Sequence, residues 1–540
     1  MRYNRFFLLA ALLPVLGMQA QTSYEAASLL NTDLSGTARY VGMGGAMSAL
    51  GADISTMGTN PAGTALYRSW DAALSFGGNW VTQHTQTGSN HNRAFSSYGS
   101  MDNIGMVIAN KKSNEDILRF VNFGFNSRNV KRFDGKMGMA SALNGLSQTI
   151  QMAGQAWQNY DFVNYTSFDP NSPNSLYNRN YYDNYNYGWL TLLGADADLM
   201  GIYAPKDEEG NLQYDEEGNV VEDYWYRLAN GCNYTERLSG GIDAFDFNLS
   251  FNLADAVYLG VTLTTYDVDY RLESTYSESF VDGGYTLQNF YSTTGSGYDF
   301  KFGVILRPFV ESSFRLGLSA TTPTVYSLRD CSRAIIDSEF SYYDEEKEQM
   351  AFVSFGMDTQ SPDAYNDDCY THYTVVAPAK YNVSLGGTIG RSLALGAEYE
   401  YDNLGAIVLY DEYGNANAPM NEHTAKNFTG RHTLRFGAEK TFGTFYTRLG
   451  YNFQTGGYGQ DAWKMLLLNS VQTNTAYTNL KNTQNFTCGI GFRGDVFYAD
   501  AALLYSMQKA DFYPFEVLEL QATSLSRKHV KGMMTLGMRF

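Results

Sequence analysis

The chain has 540 residues and a formal charge of −18, which excludes a nucleic-acid partner held by a basic face. Aromatics reach 15%, with 42 Tyr, while Gly stands at 52, Pro at 11 and charged residues at only 17%, so neither a disordered nor a fibrous chain fits. Past residue 20 no apolar run is long enough for a helix to cross a bilayer.

In chain order, the first element is a leader. Arg2 and Arg5 precede an apolar run from Phe6 to Leu16, and Ala20 offers a small-residue cleavage point before Gln21. The expected divisions are a signal peptide at 1–20, an N-terminal hatch at 21–70 and a barrel at 71–540. From about residue 70 the chain alternates apolar and polar with period two, the mark of strands with two unlike faces. Phe245, Phe247, Leu249 and Phe251 alternate with Asp246, Asn248 and Ser250; Leu393, Leu395, Ala397 and Tyr399 alternate with Gly396 and Glu398. About fourteen such strands are expected, joined by short turns on one rim and long loops on the other, which is the pattern of a transmembrane β-barrel. The long connections fall near 84–101, 134–233, 273–283, 329–370, 410–430, 455–482 and 510–531. The chain ends with Met534, Leu536, Met538 and Phe540 on alternate positions, an arrangement that looks like the strand signal read by barrel-assembly machinery. The fold class is therefore all-β, an antiparallel transmembrane barrel of the bacterial outer membrane.

Inward positions repeatedly hold Gly, among them Gly105, Gly124, Gly260, Gly303, Gly396, Gly437 and Gly450. Glycine in a strand marks either the close approach of another backbone or relief of curvature, and both remain open at this point. The same face mixes charges. Lys301, Arg315, Arg435 and Arg448 are candidate partners for a ligand carboxylate, set against Asp246, Asp299, Glu398, Glu439 and Asp500.

Within the longest connection, Met139, Leu143, Leu146, Ile150, Ala153 and Trp157 recur at alternating intervals of four and three, which predicts an amphipathic helix. Leu143, Leu146, Ile150 and Trp157 are the candidate entry groove; a self-packed lid is the alternative. The repeated DEEGN at 207–211 and 215–219 reads as two tight turns. Cys331 and Cys369 sit at the two ends of one loop in an oxidising compartment and are expected to form a disulfide, with Cys488 free and facing lipid. No CxxC or HExxH occurs, so neither a metal nor a cofactor is expected.

Before the first strand, Gly44, Gly45, Ala46 and Ala49 lead through Asp53, Ser55 and Thr56 to Asn60-Pro61-Ala62-Gly63. This segment resembles the hatch of the FadL/TodX family of outer-membrane channels. The resemblance implies a non-catalytic channel for passive uptake of hydrophobic compounds such as long-chain fatty acids, with external loop helices as an entry groove. It also implies lateral release beside an inwardly kinked third strand, here Asn122, Gly124 and Asn126. Outer-membrane lipid and a hydrophobic small molecule are then the expected partners. A FadL-like barrel also serves as a shuttle in the type IX secretion system, and binding of exported proteins is the alternative.

Overall fold

The computed structural model describes residues 21–540 apart from 113–115, 164–181, 183–186, 207–210 and 214–222, the pair 345–346, and residues 204, 212, 310 and 391. Apart from Asn211, both DEEGN turns fall on residues outside that description.

Alternation becomes pairing along the whole chain, and the result is a closed, antiparallel, 14-stranded barrel. We number its strands β1 (Asp71–Thr87), β2 (Asn90–Lys111), β3 (Leu118–Arg132, resuming as Gly135–Ala142), β4 (Gly231–Leu253), β5 (Val257–Ser279) and β6 (Gly283–Leu306). There follow β7 (Arg315–Thr321 and Val325–Asp344), β8 (Cys369–Val376 and Lys380–Ile389) and β9 (Leu393–Asn403 and Val408–Tyr410). The circuit is completed by β10 (Gly430–Phe442), β11 (Phe445–Thr455), β12 (Tyr477–Arg493), β13 (Phe497–Tyr513) and β14 (Thr523–Arg539). The seam pairs β1 with β14 from Asp71↔Arg539 upward. The Trp70 N–H donates to the Phe540 carbonyl at 3.0 Å, and their rings stand 5.7 Å apart.

The two faces of the wall differ as the period-two pattern requires. Phe76, Trp80, Phe247, Phe302, Leu385, Phe436 and Leu536 point outward and are exposed, while Asp246, Asn248, Thr262, Asp299 and Glu398 point inward and are buried. An apolar exterior over a polar lumen is the inverse of a soluble sandwich and suits lipid contact.

Strands run further than the hydropathy pattern implies. The expected long loop at 84–101 is almost all strand, with β1 and β2 joined by a turn at Gly88, whose φ is +55°. Residues 273–283 likewise continue β5 to its tight turn into β6. Within 329–370, Gln349–Asp358 folds back on β7. These outer halves rise beyond the apolar band, where both faces are polar and alternation carries no signal.

Residues 21–69 pack inside the wall. Helix α1 (Ser23–Leu29) sits high in the lumen, and α2 (Ala38–Gly42) with two 3-10 turns (Ile54–Gly58 and Pro61–Leu66) lies below it. The inward glycines explain how the segment is seated. A Cβ on Gly303 would stand 2.1 Å from Asn60 Oδ1; on Gly450, 2.1 Å from the Gly44 nitrogen; on Gly396, 2.2 Å from the Ala46 carbonyl. These glycines let one backbone lie against another.

Above the lumen, the connection after β3 forms a cap. Helix α3 (Gln148–Val163) starts later than its apolar spacing suggests, because Met137 and Met139 belong to the outer part of β3. Its buried face carries Met152, Ala153 and Ala156, which meet α4 (Trp189–Asp196) in one apolar cluster with Tyr276, Leu287 and Phe340. Glu278 of β5 accepts the Gln148 N–H at 2.7 Å and so ties down the start of α3.

The expected disulfide is absent: Cys331 and Cys369 are both free thiols. In the β7–β8 register Cys331 faces Tyr370 while Ser332 faces Cys369, so the two sulfurs project from opposite sides of the wall. A hydrophilic maleimide added to the folded protein should therefore label Cys331 readily, and reach the buried Cys232 and Cys369 only after denaturation.

Candidate functional site

Between α1 and the lower hatch lies a polar cavity of about 150 Å³. Leu29 to Ser35, Tyr40, Ser55 and Thr59 of the N-terminal segment form one side; Arg128, Lys301, Lys380, Arg435, Arg527 and Lys531 of the wall form much of the other. Asp33 is the acidic group that the N-terminal segment brings to it, 3.0 Å from Lys131. Burial works to raise the Asp33 pKa, but Lys131 and Arg527 outweigh it and hold the carboxyl down at about 2. Asp33 therefore stays charged and helps anchor the strap between α1 and α2.

Of the four candidate cations, Lys301 pairs with Asp299, and Arg435 bridges Glu398 at 2.6 Å and Glu400 at 3.1 Å. Arg448 is fully buried between Glu439 at 2.6 Å and Asp500 at 2.7 Å, and Arg315 donates to the Leu50 carbonyl at 2.7 Å. Lys301 and Arg435 line the cavity with their charge already balanced; Arg315 binds the hatch instead, and Arg448 is paired within the wall beside Gly42. The cations with capacity to spare are two that the sequence pattern did not single out. Lys380 and Arg527 line the cavity and make no ion pair among the described residues.

The wall beside this cavity is interrupted. Pairing between β2 and β3 runs from Lys111↔Phe120 to Asn103↔Arg128 and ends there. Above that point β2 pairs with β1 alone. β3 instead bends inward while staying paired with β4: Asn129, Val130 and Lys131 are consecutively buried, and the β3–β4 register shifts between Asn129 and Lys131. The resumed strand passes beneath the β1–β2 hairpin, where Thr85 Oγ1 donates to the Gly138 carbonyl at 2.5 Å. Tyr98 of β2 and Arg132 of β3 flank the interruption, 6.0 Å from ring centroid to guanidinium carbon, and both line the cavity.

The inward turn is therefore at 129–134 and not at Gly124. Gly124 keeps regular register with Val107 and Asn248, and its missing side chain leaves room for Met57. Asn122 donates to the carbonyls of Thr64 at 2.8 Å and Tyr67 at 3.0 Å, and Asn126 to Asp246 at 3.3 Å. These residues seat the hatch. Asn60, Pro61, Ala62 and Gly63 form the turn they receive: Asn60 Nδ2 donates to the Ser48 carbonyl at 3.0 Å, its Oδ1 caps Ala62, and Pro61 abuts Gly260.

The entry-groove residues are not brought to the cavity. Leu143 is buried in the cap cluster, Leu146 packs against it, Ile150 is half-buried, and Trp157 lies exposed against Tyr224 with ring centroids 5.7 Å apart.

Helix α1 closes the cavity from above. Tyr24 meets the rings of Phe428, Tyr458 and Tyr477 at 5.3, 5.7 and 5.3 Å, and its hydroxyl donates to Asn479 at 2.8 Å. Ser23 Oγ lies 3.2 Å from His423 Nδ1 on α5 (Ala418–Asn427). Burial pushes the His423 pKa down from 6.5 to about 4. The folded state thus favours neutral imidazole, and the contact is at full strength above pH 6.5. Below that pH the imidazole takes a proton only when released, so the docked state loses stability as pH falls from 6.5 toward 4, by up to about 3 kcal/mol at 1.36 kcal/mol per pKa unit. Protease access to α1 should rise over that window, and His423→Gln should flatten the pH dependence.

No family profile and no curated protein sequence matches the chain. Among solved structures, the toluene transporter TodX of Pseudomonas putida aligns at 10% identity and a TM-score of 0.47, over 94% of this chain and 99% of its own. A FadL homologue of Pseudomonas aeruginosa aligns at 11% and 0.46, over 94% and 98%. The Ralstonia pickettii toluene transporter TbuX gives 11% and 0.43, over 94% and 99%.

Proposed function

We propose that this chain is an outer-membrane channel through which a lipophilic small molecule leaves the barrel sideways, between β2 and β3. The observation that carries this is the interruption above Asn103↔Arg128, which opens beside the cavity and within reach of Phe95 and Met101 on the apolar exterior. An unpaired strand edge is costly unless it borders protein or a water-filled passage, so the break, at the upper margin of the apolar band, is consistent with a passage. The cavity is polar, which suits the head of an amphiphile better than a pure hydrocarbon. Lys380 and Arg527 would hold an acidic head, as in a long-chain fatty acid, while its tail leaves along Tyr98.

The test is a bridge across the gap. With Cys331 and Cys488 changed to Ser, Tyr98→Cys and Arg132→Cys are introduced together and joined by a short bis-maleimide that carries a reducible disulfide. Uptake of a fluorescent fatty acid should fall to background and return on reduction, with unchanged heat-modifiable mobility. Undiminished uptake through a bridged barrel would remove the lateral route.

A second reading, a shuttle for exported proteins, is favoured by one feature: the cap packs on itself and closes the outer mouth around Trp189, Leu192 and Phe340. In that case the bridge would leave partner binding intact, and no lipophile would copurify with the barrel.

A further inference from the structure

The strand that folds back on β7, Gln349–Asp358, has one paired edge and one open edge. Its register with β7 runs from Ile335↔Asp358 to Asp344↔Gln349, and the other side of β7 is taken by β6. Among the described residues no strand pairs with the far edge of 349–358. The Thr359 N–H donates to the Ala334 carbonyl at 3.0 Å, and the Ser341 N–H to the Asp282 carbonyl on the β6 side at 2.7 Å. Antiparallel bonds alternate, so Ala351, Val353, Phe355 and Met357 turn their backbone groups to β7. Met350, Phe352, Ser354 and Gly356 turn theirs to the open edge, and all four are exposed. The edge also stands clear of the membrane. Tyr298, exposed on the apolar band, pairs with Val325, whereas Phe352 pairs with Ser341. From Val325 to Ser341, at about 3.3 Å per residue, is roughly 50 Å of strand.

A free edge in water is ordinarily blunted by charge, Pro or a bulge, because it invites another strand. This one has none of these: the run from Met350 to Met357 holds no charged residue and no Pro, and its register with β7 is unbroken. The charge lies around it instead. Between Asp337 and Asp368 the sequence carries ten acidic residues and one basic, Lys347. Asp337 and Glu339 stand opposite Gly356 and Ser354 on the outward face. A Cβ on Gly356 would come within 2.8 Å of Asp337 Oδ1, so that carboxylate lies over the glycine. A second copy of this chain would bring the same carboxylates to the other side of the seam, and like charges facing one another disfavour that pairing. The inward face is different in kind: Val353, Phe355 and Met357 pack against the apolar cluster of the cap.

We propose that this edge receives an extended segment of another protein as an added strand, with basic side chains on its outward face and apolar ones on its inward face. Main-chain hydrogen bonds to Phe352 and Ser354 supply the attachment, and the alternate side chains supply the selectivity. Strand periodicity sets every second residue of the incoming segment beside Asp337 and Glu339. The residues between them extend the apolar face of Val353 and Phe355.

The edge belongs to β7 and its hairpin, outside the lumen, so this inference is independent of the lateral route between β2 and β3. The probe is a short fluorescent peptide alternating Val and Lys, blocked at both ends. It is titrated against the intact barrel in a zwitterionic nanodisc and followed by anisotropy. The Val–Lys peptide should bind, and a Val–Glu peptide of equal length should bind several-fold more weakly. Ser354→Pro removes an N–H that β7 does not use, a position where a strand tolerates Pro. That variant should keep native heat-modifiable mobility and lose most of the peptide binding. Asp337→Lys with Glu339→Lys leaves the backbone edge whole and should reverse the preference toward Val–Glu. Val–Lys binding that survives Ser354→Pro undiminished would be adhesion to an acidic surface and overturns the proposal. A charge-reversed barrel that still prefers Val–Lys overturns it as well. So does a native dimer that Ser354→Pro converts to monomer, because the edge would then belong to a second copy.

Discussion

Replacing Gly303 and Gly450 together by Val should drive the hatch out of a barrel that is otherwise intact. At both positions the added Cβ meets an atom of the hatch turn or its backbone at 2.1 Å, Asn60 Oδ1 in one case and the Gly44 nitrogen in the other. Val suits a strand and neither glycine has a positive φ; the one wall atom in the way, Thr487 Oγ1 at 2.5 Å from a Cβ on Gly450, is the end of a side chain that can rotate aside. Overpacking of this kind costs about 1–3 kcal/mol at each site, and here it falls on the seat of a short segment whose own helices are too brief to persist alone. The expected phenotype is normal heat-modifiable mobility with a large rise in bilayer conductance and in sensitivity to antibiotics too large for the closed barrel. A double variant that conducts no better than the native protein would show that the hatch is not held by these contacts.

The second large effect is expected at Arg39. Its guanidinium donates to both oxygens of Glu439, at 3.0 and 3.1 Å, and to the Ala52 carbonyl at 2.7 Å, tying hatch to wall and hatch to itself in one residue. Glu439 is in turn held by Arg448 at 2.6 Å, and Arg448 by Asp500 at 2.7 Å. Arg39→Met removes one member of this buried chain, which costs about 3–5 kcal/mol when the remaining charges stay buried. Amide exchange in 38–58 should accelerate sharply while the β-strands remain protected. Arg39→Lys keeps the charge but loses the fork and should fall between the two. Exchange as slow in Arg39→Met as in the native protein would show that the hatch is retained by shape alone.

The barrel was legible in the sequence because its signal is repeated on every strand: Phe245 to Phe251 and Leu393 to Tyr399 each carry the same period. Legibility stops where the wall leaves the apolar band. Thr85, Asn92 and Arg93 alternate polar with polar, so the rising hairpin of β1 and β2 reads as a loop. The spacing from Met139 to Trp157 misleads for another reason. Met139 lies on the outer part of β3, Leu143 and Leu146 on the connection, and the last three on α3, so separate elements happen to share one numerical rhythm. Helix α1 carries a local signal of its own, Thr22 and Glu25 in the spacing of a capping box, with Thr22 as the N-cap. The turn of β3 at Asn129 and the freedom of Lys380 and Arg527 depend on cross-strand register, which no single strand encodes. The same holds for Cys331 and Cys369, whose separation along the chain says nothing of the face each occupies.

The position of α1 also dictates an order of events in biogenesis. The chain descends from the top of the lumen through the hatch to Trp70, beside Phe540 at the foot of the seam. Once β1 and β14 have paired along their length, the segment 21–69 would have to be threaded upward past Arg448 and the glycine floor. It is simpler for the wall to form around it. The hatch then acts as a mandrel on which inward-facing side chains find their partners before closure. Variants that loosen it should delay the appearance of the heat-modifiable band in a refolding time course, even where the finished barrel is equally stable.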